Sequence, residues 1–423
     1  MKIAITTIGS RGDLQPFIAL ALGLKKTGHD VRIVTARNEE NFVKGFDIEF
    51  SPVNVDIKQL MEGKEVQRMS KGNNPVKFIS SHLHGSRKMK SLLVRAQHEI
   101  WEACSDAELL IFHPGMPIAF FKAQIENKKC IMLCPFPALS TGDYPSILFY
   151  NLPRFGKIGN RITHRIFYKA FWLMTKNAIK EFMKQEVDKV VNLSTSPIKQ
   201  QVESNQPVIN AYSSYLFSHS KDWAENVYTT GSLFIEDDGE YKPTIELKKF
   251  LAVDEPPIYI GFGSMKDKES FSKTIDIIEE TARKTRQRFI VGLGWTNNSY
   301  KEAISENIFL IQSIPHTWLF QKVKLVIHHG GAGTTATGLL AGKPTIIIAH
   351  NADQPAWGKK IYELGLGAKP IRKKDLSSKR LVNAINYSLS PEVIKNANEM
   401  GKKMNDENGL QKAVNIINEF IDK

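Results

Sequence analysis

The sequence predicts an α/β protein built from two doubly wound, Rossmann-like domains in tandem. Three observations carry this: a length of 423 residues, a strand–helix alternation running through both halves, and a polar stretch between them. One hydrophobic core stops growing at about 250–300 residues, so a chain of this length divides. Strands that alternate with helical patterns pair in parallel, because each crossover helix carries the chain back to the same edge.

In the first half, Lys2–Ile8 is a short apolar run that reads as a buried strand. Phe17–Gly28 carries an apolar stripe with a glycine stop and reads as a helix. Asp30–Ala36, Glu108–His113 and Lys129–Pro135 are further strands, and Pro207–Phe217 is the last of this half. Ser218–Tyr241 is polar, turns acidic towards its end and holds Gly231 and Gly239, so the boundary falls there. The first domain is placed at residues 1–218, a linker at 219–240 and the second domain at 241–405. The second half repeats the pattern with five strands, Pro256–Met265, Arg288–Trp295, Asn307–Ser313, Val323–Gly331 and Lys343–His350. The tail, residues 406–423, has an amphipathic helical pattern (Val414, Ile416, Ile417, Phe420, Ile421) and is expected to pack back on the first domain. Two such sheets in tandem set their strand C-terminal ends about one cleft, where ligands of doubly wound sheets bind.

Composition narrows the class. Apolar residues at 42% and charged residues at 24% describe a globular chain. The opening MKIAITTIGSRGD reads as a first strand rather than a signal peptide, and no run of about 18 apolar residues offers a membrane span. Cys104, Cys130 and Cys134 are an odd set without zinc spacing, which reads as free thiols in a reducing, cytoplasmic compartment. The net charge of +13 admits three anionic partners: nucleic acid, a membrane surface or a small ligand. Nucleic acid is disfavoured, since no reading module or stacking platform is recognisable and the basic residues are spread widely.

Val326–Pro344 is the most informative segment. A buried strand ends in His328 and His329, then Gly330, Gly331 and Gly333 follow, and Thr334 and Thr335 open a helix. Glycines admit close approach of the backbone, and the free N–H groups of a helix start face an anion with the positive end of the dipole behind them. A histidine at the strand end adds a charge-assisted hydrogen bond to a diphosphate.

HHGGAGTT followed by ADQPAWGKKI resembles the UDP-glycosyltransferase superfamily, with the nearer likeness to sterol glucosyltransferases and bacterial antibiotic glycosyltransferases. TIGSRGDLQPFIALALGLKKTGHDVRI, PHTWLF and PFPALSTGDYP resemble the same subgroup, in the same order. The likeness is weakest between about residues 40 and 100 and at the tail. It implies the GT-B fold and an inverting transfer of a sugar, glucose by preference, from a UDP-sugar to a hydroxyl of a small apolar acceptor such as a sterol, macrolide or polyphenol. It further implies that His329 binds the donor diphosphate with Gly331, Gly333, Thr334 and Thr335. Asp353 and Gln354 would hold the sugar hydroxyls, and Ser313 and Ile314 the base. Gly263 and Ser264 would touch phosphate or ribose, and Ser10, Arg11 and Gly12 of the first loop would add donor contacts. The chain departs from the subgroup at IAHNADQ, where sterol enzymes read PFFGDQ, and at Ser313, where plant members place a base-stacking Trp.

Asp13 lies in the loop between the first strand and first helix, and the resemblance implies that it is the general base. An acceptor hydroxyl must lose its proton as it attacks the anomeric carbon, and a placed base contributes about 10²–10⁴-fold. By position alone Asp13 reads as a helix N-cap, a role compatible with catalysis. His113 also ends a strand, where it would approach the acceptor, pair with Asp13 or simply fill the core. The chain contains no Asp-x-Asp pair; the nearest acidic cluster, Glu236–Asp238, reads as a solvated loop. No metal and no bound cofactor are therefore expected, with His329 and the helix start stabilising the leaving diphosphate.

Residues 154–184 hold eight Lys and Arg against one acid, Glu181, interleaved with Phe155, Phe167, Tyr168, Phe171, Trp172 and Phe182. Such a helix would either lie at the inner face of an anionic membrane or turn its aromatics to the acceptor side and its lysines to water. Against the transferase stand a nucleotide-sugar epimerase on the same fold, which needs no acceptor segment, and a basic nucleic-acid-binding protein.

Overall fold

The computed structural model describes residues 1–9, 11–54, 87–153, 156–187, 191–235, 241–253, 255–261, 268–294, 303–312, 314–350 and 353–423. Its strands form where short β-branched and apolar runs are buried on both faces, as a parallel sheet covered by helices requires. The first sheet contains β1 (Lys2–Thr6), β2 (Asp30–Ala36), β3 (Glu49–Val53), β4 (Leu109–Phe112), β5 (Lys129–Cys134), β6 (Val208–Asn210) and β7 (Val227–Thr229). Their order is β3-β2-β1-β4-β5-β6-β7, parallel throughout. The second contains β8 (Ile258–Gly261), β9 (Phe289–Gly292), β10 (Ala303–Ser305), β11 (Ile308–Ile311), β12 (Leu325–His328), β13 (Thr345–Ala349) and β14 (Ile371–Arg372). Its order is β10-β11-β9-β8-β12-β13-β14, with only β10 antiparallel.

Both sheets reverse their winding once, between β1 and β4 in the first and between β8 and β12 in the second. Helices from the two windings diverge there and leave a crevice beyond the strand C-termini. Thr6 stands level with Phe112, and His328 level with Gly261, so the loops that follow these strands begin at the two switch points.

The chain divides into two compact units, Met1–Ile235 with Glu407–Lys423, and Glu236–Asp406. The final helix, Gly409–Asp422, belongs to the first unit: Ala413, Val414 and Ile417 enter its core with Leu20, Leu24 and Ile131. A Cβ on Gly23 would come within 2.7 Å of Val414 Cγ2, so the missing side chain is what lets this helix approach the first one. His29 Nε2 and Asn418 Oδ1 close the contact at 2.9 Å.

Several expectations are corrected. The first sheet does not end with Pro207–Phe217: only Val208–Asn210 is strand, and β7 follows it inside the stretch read as linker. β7 is three residues long and only Val227 is buried, so it has almost no pattern of its own and exists by pairing with β6. The edge strands β3, β10 and β14 were likewise not expected. Cys104, Cys130 and Cys134 are free and buried, and burial pushes the Cys104 thiol up to about 12. Arg154, Phe155 and the Glu236–Asp238 cluster lie outside the described residues.

Candidate functional site

In the second unit, β12 runs into the helix Ala332–Leu340 through His329, Gly330 and Gly331. Gly330 has φ +97°, and a Cβ there would meet Ile347 Cγ2 at 2.7 Å and the Gln354 carbonyl oxygen at 3.2 Å. Both the left-handed backbone and the crowding demand glycine. The turn is stiffened from behind: His328 is buried and its Nδ1 accepts the Gly330 N–H at 3.0 Å. Gly331 takes the N-cap position without any side-chain cap, so the N–H groups of the first turn are not satisfied by a capping side chain. His329 leans over this turn; a Cβ on Gly331 would lie 2.9 Å from its Nε2.

Thr334 and Thr335 take different roles. Thr334 is part-exposed in the first turn. Thr335 is fully buried, and both its N–H (2.9 Å) and its hydroxyl (2.8 Å) go to the Gly331 carbonyl. Both donors thus go to the fold, since a helical Thr hydroxyl can reach back to the preceding turn.

Asp353 and Gln354 arrive from the loop after β13. Asp353 is the N-cap residue of the helix Gln354–Glu363, and its Oδ2 accepts the indole N–H of buried Trp357 at 2.9 Å. Gln354 Oε1 accepts the His350 N–H at 2.8 Å, and its Cβ lies against Gly330. The structure thus gathers His329, Gly330, Gly331, Asp353 and Gln354 at the C-terminal edge of β12 and β13. Sequence reasoning missed His350 and Trp357. The His350 ring lies 6.3 Å from that of His329, and its Nε2 is buried with no hydrogen-bond partner among the described residues. Its signal was the departure at IAHNADQ. Burial holds the pKa of His329 down to about 4 and that of His350 to about 3, the latter helped by Lys373 and His329. Both rings are neutral at physiological pH and stand beside unused amide donors. The arrangement suits an anion that would itself draw a proton to an imidazole. Ile314 is part-buried near this edge, packed with Trp318 against the β9–β11 side. Gly263, Ser264 and Ser313 lie outside the described residues.

In the first unit, β1 runs into the helix Arg11–Lys26. Asp13 is not the N-cap: it stands third in the helix, in the first turn, where the dipole favours a carboxylate. It is exposed, and it folds back so closely that a Cβ on Gly9 (φ +149°) would lie 2.6 Å from its Oδ2. Gly12 is part-exposed beside it, while Ser10 and the Arg11 side chain lie outside the described residues. His113, one residue past β4, is 8% exposed. Its Nδ1 accepts the Gly115 N–H at 2.9 Å, and its ring meets Phe17 and Phe136 edge-on. Burial lowers its pKa to about 4. With Nδ1 accepting, the proton of the neutral His113 ring sits on Nε2. Two shallow depressions elsewhere on this unit, one at the N-terminal edge of β2 and β3 and one beside β7, hold none of these residues.

Three aromatics of the basic segment are core, and Tyr168 and Phe171 are part-buried against it. The helix Gly156–Glu186 buries Phe167, Trp172 and Phe182, the second packing on Phe121 at 5.9 Å. Among the described residues, no helix is long and apolar enough to cross a membrane, and no group of three His, Cys, Asp or Glu residues could hold a metal.

Comparison with known proteins agrees with this geometry. Residues 3–109 match the Glycosyltransferase family 28 N-terminal domain, and residues 280–419 match the erythromycin biosynthesis protein CIII-like C-terminal domain. A sterol 3-beta-glucosyltransferase of Arabidopsis thaliana is 31% identical over the whole chain, which spans 68% of that protein. A second from the same plant is 31% identical, with the chain spanning 64% of it, and one from Aspergillus clavatus is 30% identical, with 29% spanned. Among solved structures, the glycotransferase of kitacinnamycin superposes with a TM-score of 0.68 at 14% identity, over 99% of this chain and 98% of its own. The glycosyltransferase SnogD from Streptomyces nogalater superposes with a TM-score of 0.66 at 15% identity, over 96% of each. At such identities the likeness concerns the fold, which is GT-B.

Proposed function

This chain belongs to the UDP-glycosyltransferase family of enzymes, and on that premise we propose that it moves glucose from UDP-glucose to the hydroxyl of a sterol-like apolar acceptor, with inversion and without a metal. The observation that carries the proposal is the uncapped helix start at Gly331, with neutral His329 over it and Asp353 and Gln354 beside it. The names of the relatives support glucose and a sterol. A solved neighbour, VinC, is described in complex with dTDP, so a thymidine diphosphate sugar is the alternative donor.

The reaction runs as one displacement. Asp13 takes the acceptor proton, the freed oxygen bonds to the anomeric carbon, and the carbon–oxygen bond to the diphosphate breaks on the opposite face. The electron pair leaves on the diphosphate. The first-turn N–H groups of Ala332–Leu340 and His329 stabilise that charge in a site where water competes poorly. Asp353 and Gln354 orient the sugar. Trp357 donates to Asp353 Oδ2 and holds that carboxylate in place. The test is release of UDP from UDP-glucose, in EDTA, against a panel of sterols and other hydrophobic alcohols. Acceptor-dependent release and a β-glucoside product are expected. Strict dependence on added Mn²⁺ overturns the metal-free step, and interconversion of the donor sugar without any acceptor overturns the transferase in favour of an epimerase.

A further inference from the structure

The helix Gly156–Glu186 leaves a distinct face uncovered. Its inner side is fixed: Phe167, Ile179 and Phe182 are core, Asn160 Nδ2 donates to the Gly142 carbonyl at 2.8 Å, and Thr163 Oγ1 accepts the Ser146 N–H at 2.8 Å. The helix cannot roll to hide its outer side. On that side Ile158, Ile162 and Ile166 are 75%, 47% and 43% exposed. Their four-residue spacing puts them in one row, and Lys157, Arg161, Arg165 and Lys169, all exposed, form the adjoining row. The isoleucine row runs beside the basic row for about 12 Å, a little over two helical turns. Leu152, just ahead of the helix, is also exposed. Four of the eleven exposed large hydrophobics among the described residues thus fall in this one short stretch, while the others are scattered along the chain. Single exposed apolar residues need no explanation, but a row does.

Charge identifies what would cover it. From Asn151 to Lys180 the sequence has no Asp or Glu. The acid recorded against this face is Asp222, which pairs with Arg161 at 3.0 Å and lies within the field of Lys157. No ion pair is recorded at Arg165 or Lys169 among the described residues. A second copy of the chain would set cations against cations. Nucleic acid would use the basic row and leave the isoleucines in water, and among the described residues no exposed aromatic on this face offers a base a stacking surface. A bilayer with anionic headgroups satisfies both rows at once: isoleucines enter the headgroup–acyl boundary while Lys and Arg extend to the phosphates. We infer that the outer face of Gly156–Glu186 is a docking surface for anionic lipid membrane, through which this chain lies on a bilayer without spanning it.

The test is co-sedimentation of the full chain with phosphatidylcholine vesicles, with and without phosphatidylserine at about one lipid in three. Partition to the serine-containing vesicles should exceed that to pure phosphatidylcholine by about tenfold and fall by a similar factor at high salt. Replacing Ile158, Ile162 and Ile166 together by Ser should lower partition about tenfold, because the apolar insertion is lost. Arg165→Glu with Lys169→Glu should do the same through charge. Ile245→Ser, at an equally exposed but isolated apolar site, should change nothing. All these positions are on the surface, so unchanged thermal melting and UDP binding verify that the variants are folded. Failure to bind serine-containing vesicles at low salt, or equal binding by the triple Ser variant, overturns the inference. So does concentration-dependent self-association that the triple Ser variant abolishes while vesicle binding persists, which would assign the face to a second copy. The vesicle readout needs no sugar transfer, so it stands or falls independently of the proposed reaction.

Discussion

The two strand-end loops at the switch points solve opposite electrostatic problems. The β1 edge presents an exposed carboxylate, Asp13, folded against Gly9, and the neighbouring end of β4 carries a buried His113 whose Nδ1 is hydrogen-bonded. The β12 loop presents no carboxylate. It offers uncapped amides, with His328 and His329 at its own strand end, His316 after β11 and His350 after β13, each with its pKa held below the ordinary value. One edge carries a carboxylate, the other amide donors and imidazoles. The same winding provides both edges, so chemistry is divided by loop composition rather than by fold.

The largest expected effect tests the acidic edge. Asp13→Asn keeps the shape and removes the base, so kcat should fall about 10²–10⁴-fold while UDP affinity, measured by calorimetry, stays unchanged. A variant that transfers sugar at the parent rate would remove Asp13 from the chemistry and leave only its place in the first helical turn.

Acid sharpens the contrast next. Histidines whose native pKa is depressed bind fewer protons folded than unfolded between pH 6.5 and about 4. Their stabilising contribution is complete above pH 6.5 and is lost as pH falls through that window. Each such histidine accounts for at most about 1.4 kcal/mol per pH unit, less where the ring is part-exposed as in His329 and His350. Among the described residues the second unit has four and the first has two, His113 and His164, each lowered to about 4 by burial. Hydrogen exchange at pH 5 should therefore open peptides of the second unit before those of the first. The reverse order would show that burial of these rings is not what limits acid stability.

A smaller effect probes the turn itself. Gly330→Ala forces a side chain into a left-handed backbone and against Ile347, at roughly 1–3 kcal/mol in stability, and should weaken UDP binding about tenfold. The smallest tests the sugar side: Trp357→Phe removes the donor to Asp353 and keeps the ring, so the KM for UDP-glucose should rise a few-fold with kcat nearly unchanged. A parallel loss of kcat would place Trp357 in the general packing of the helix instead.

Much of this was legible without coordinates because its signals are local. The core strands β1, β2, β4, β5, β8, β9, β11, β12 and β13 are runs of apolar residues bounded by turn chemistry. Gly330, Gly331 and the helix start are likewise a local motif, since backbone geometry there dictates the residue type. Asp353 and Gln354 followed from the family resemblance alone. What tertiary structure decided is what depends on partners distant in sequence. Three-residue β7 becomes a strand only by lying beside β6. The Thr335 hydroxyl and His113 Nδ1 are bonded to the backbone around them, a pairing no sequence pattern announces. His350 joined the site because β13 and β12 are neighbours, and the isoleucine row of Gly156–Glu186 stands exposed because the helix's opposite side is bonded to the core. The sequence by itself determined the periodicities and the turns, whereas only the packed molecule decided which polar atoms had already spent their hydrogen bonds and which apolar side chains had found no cover.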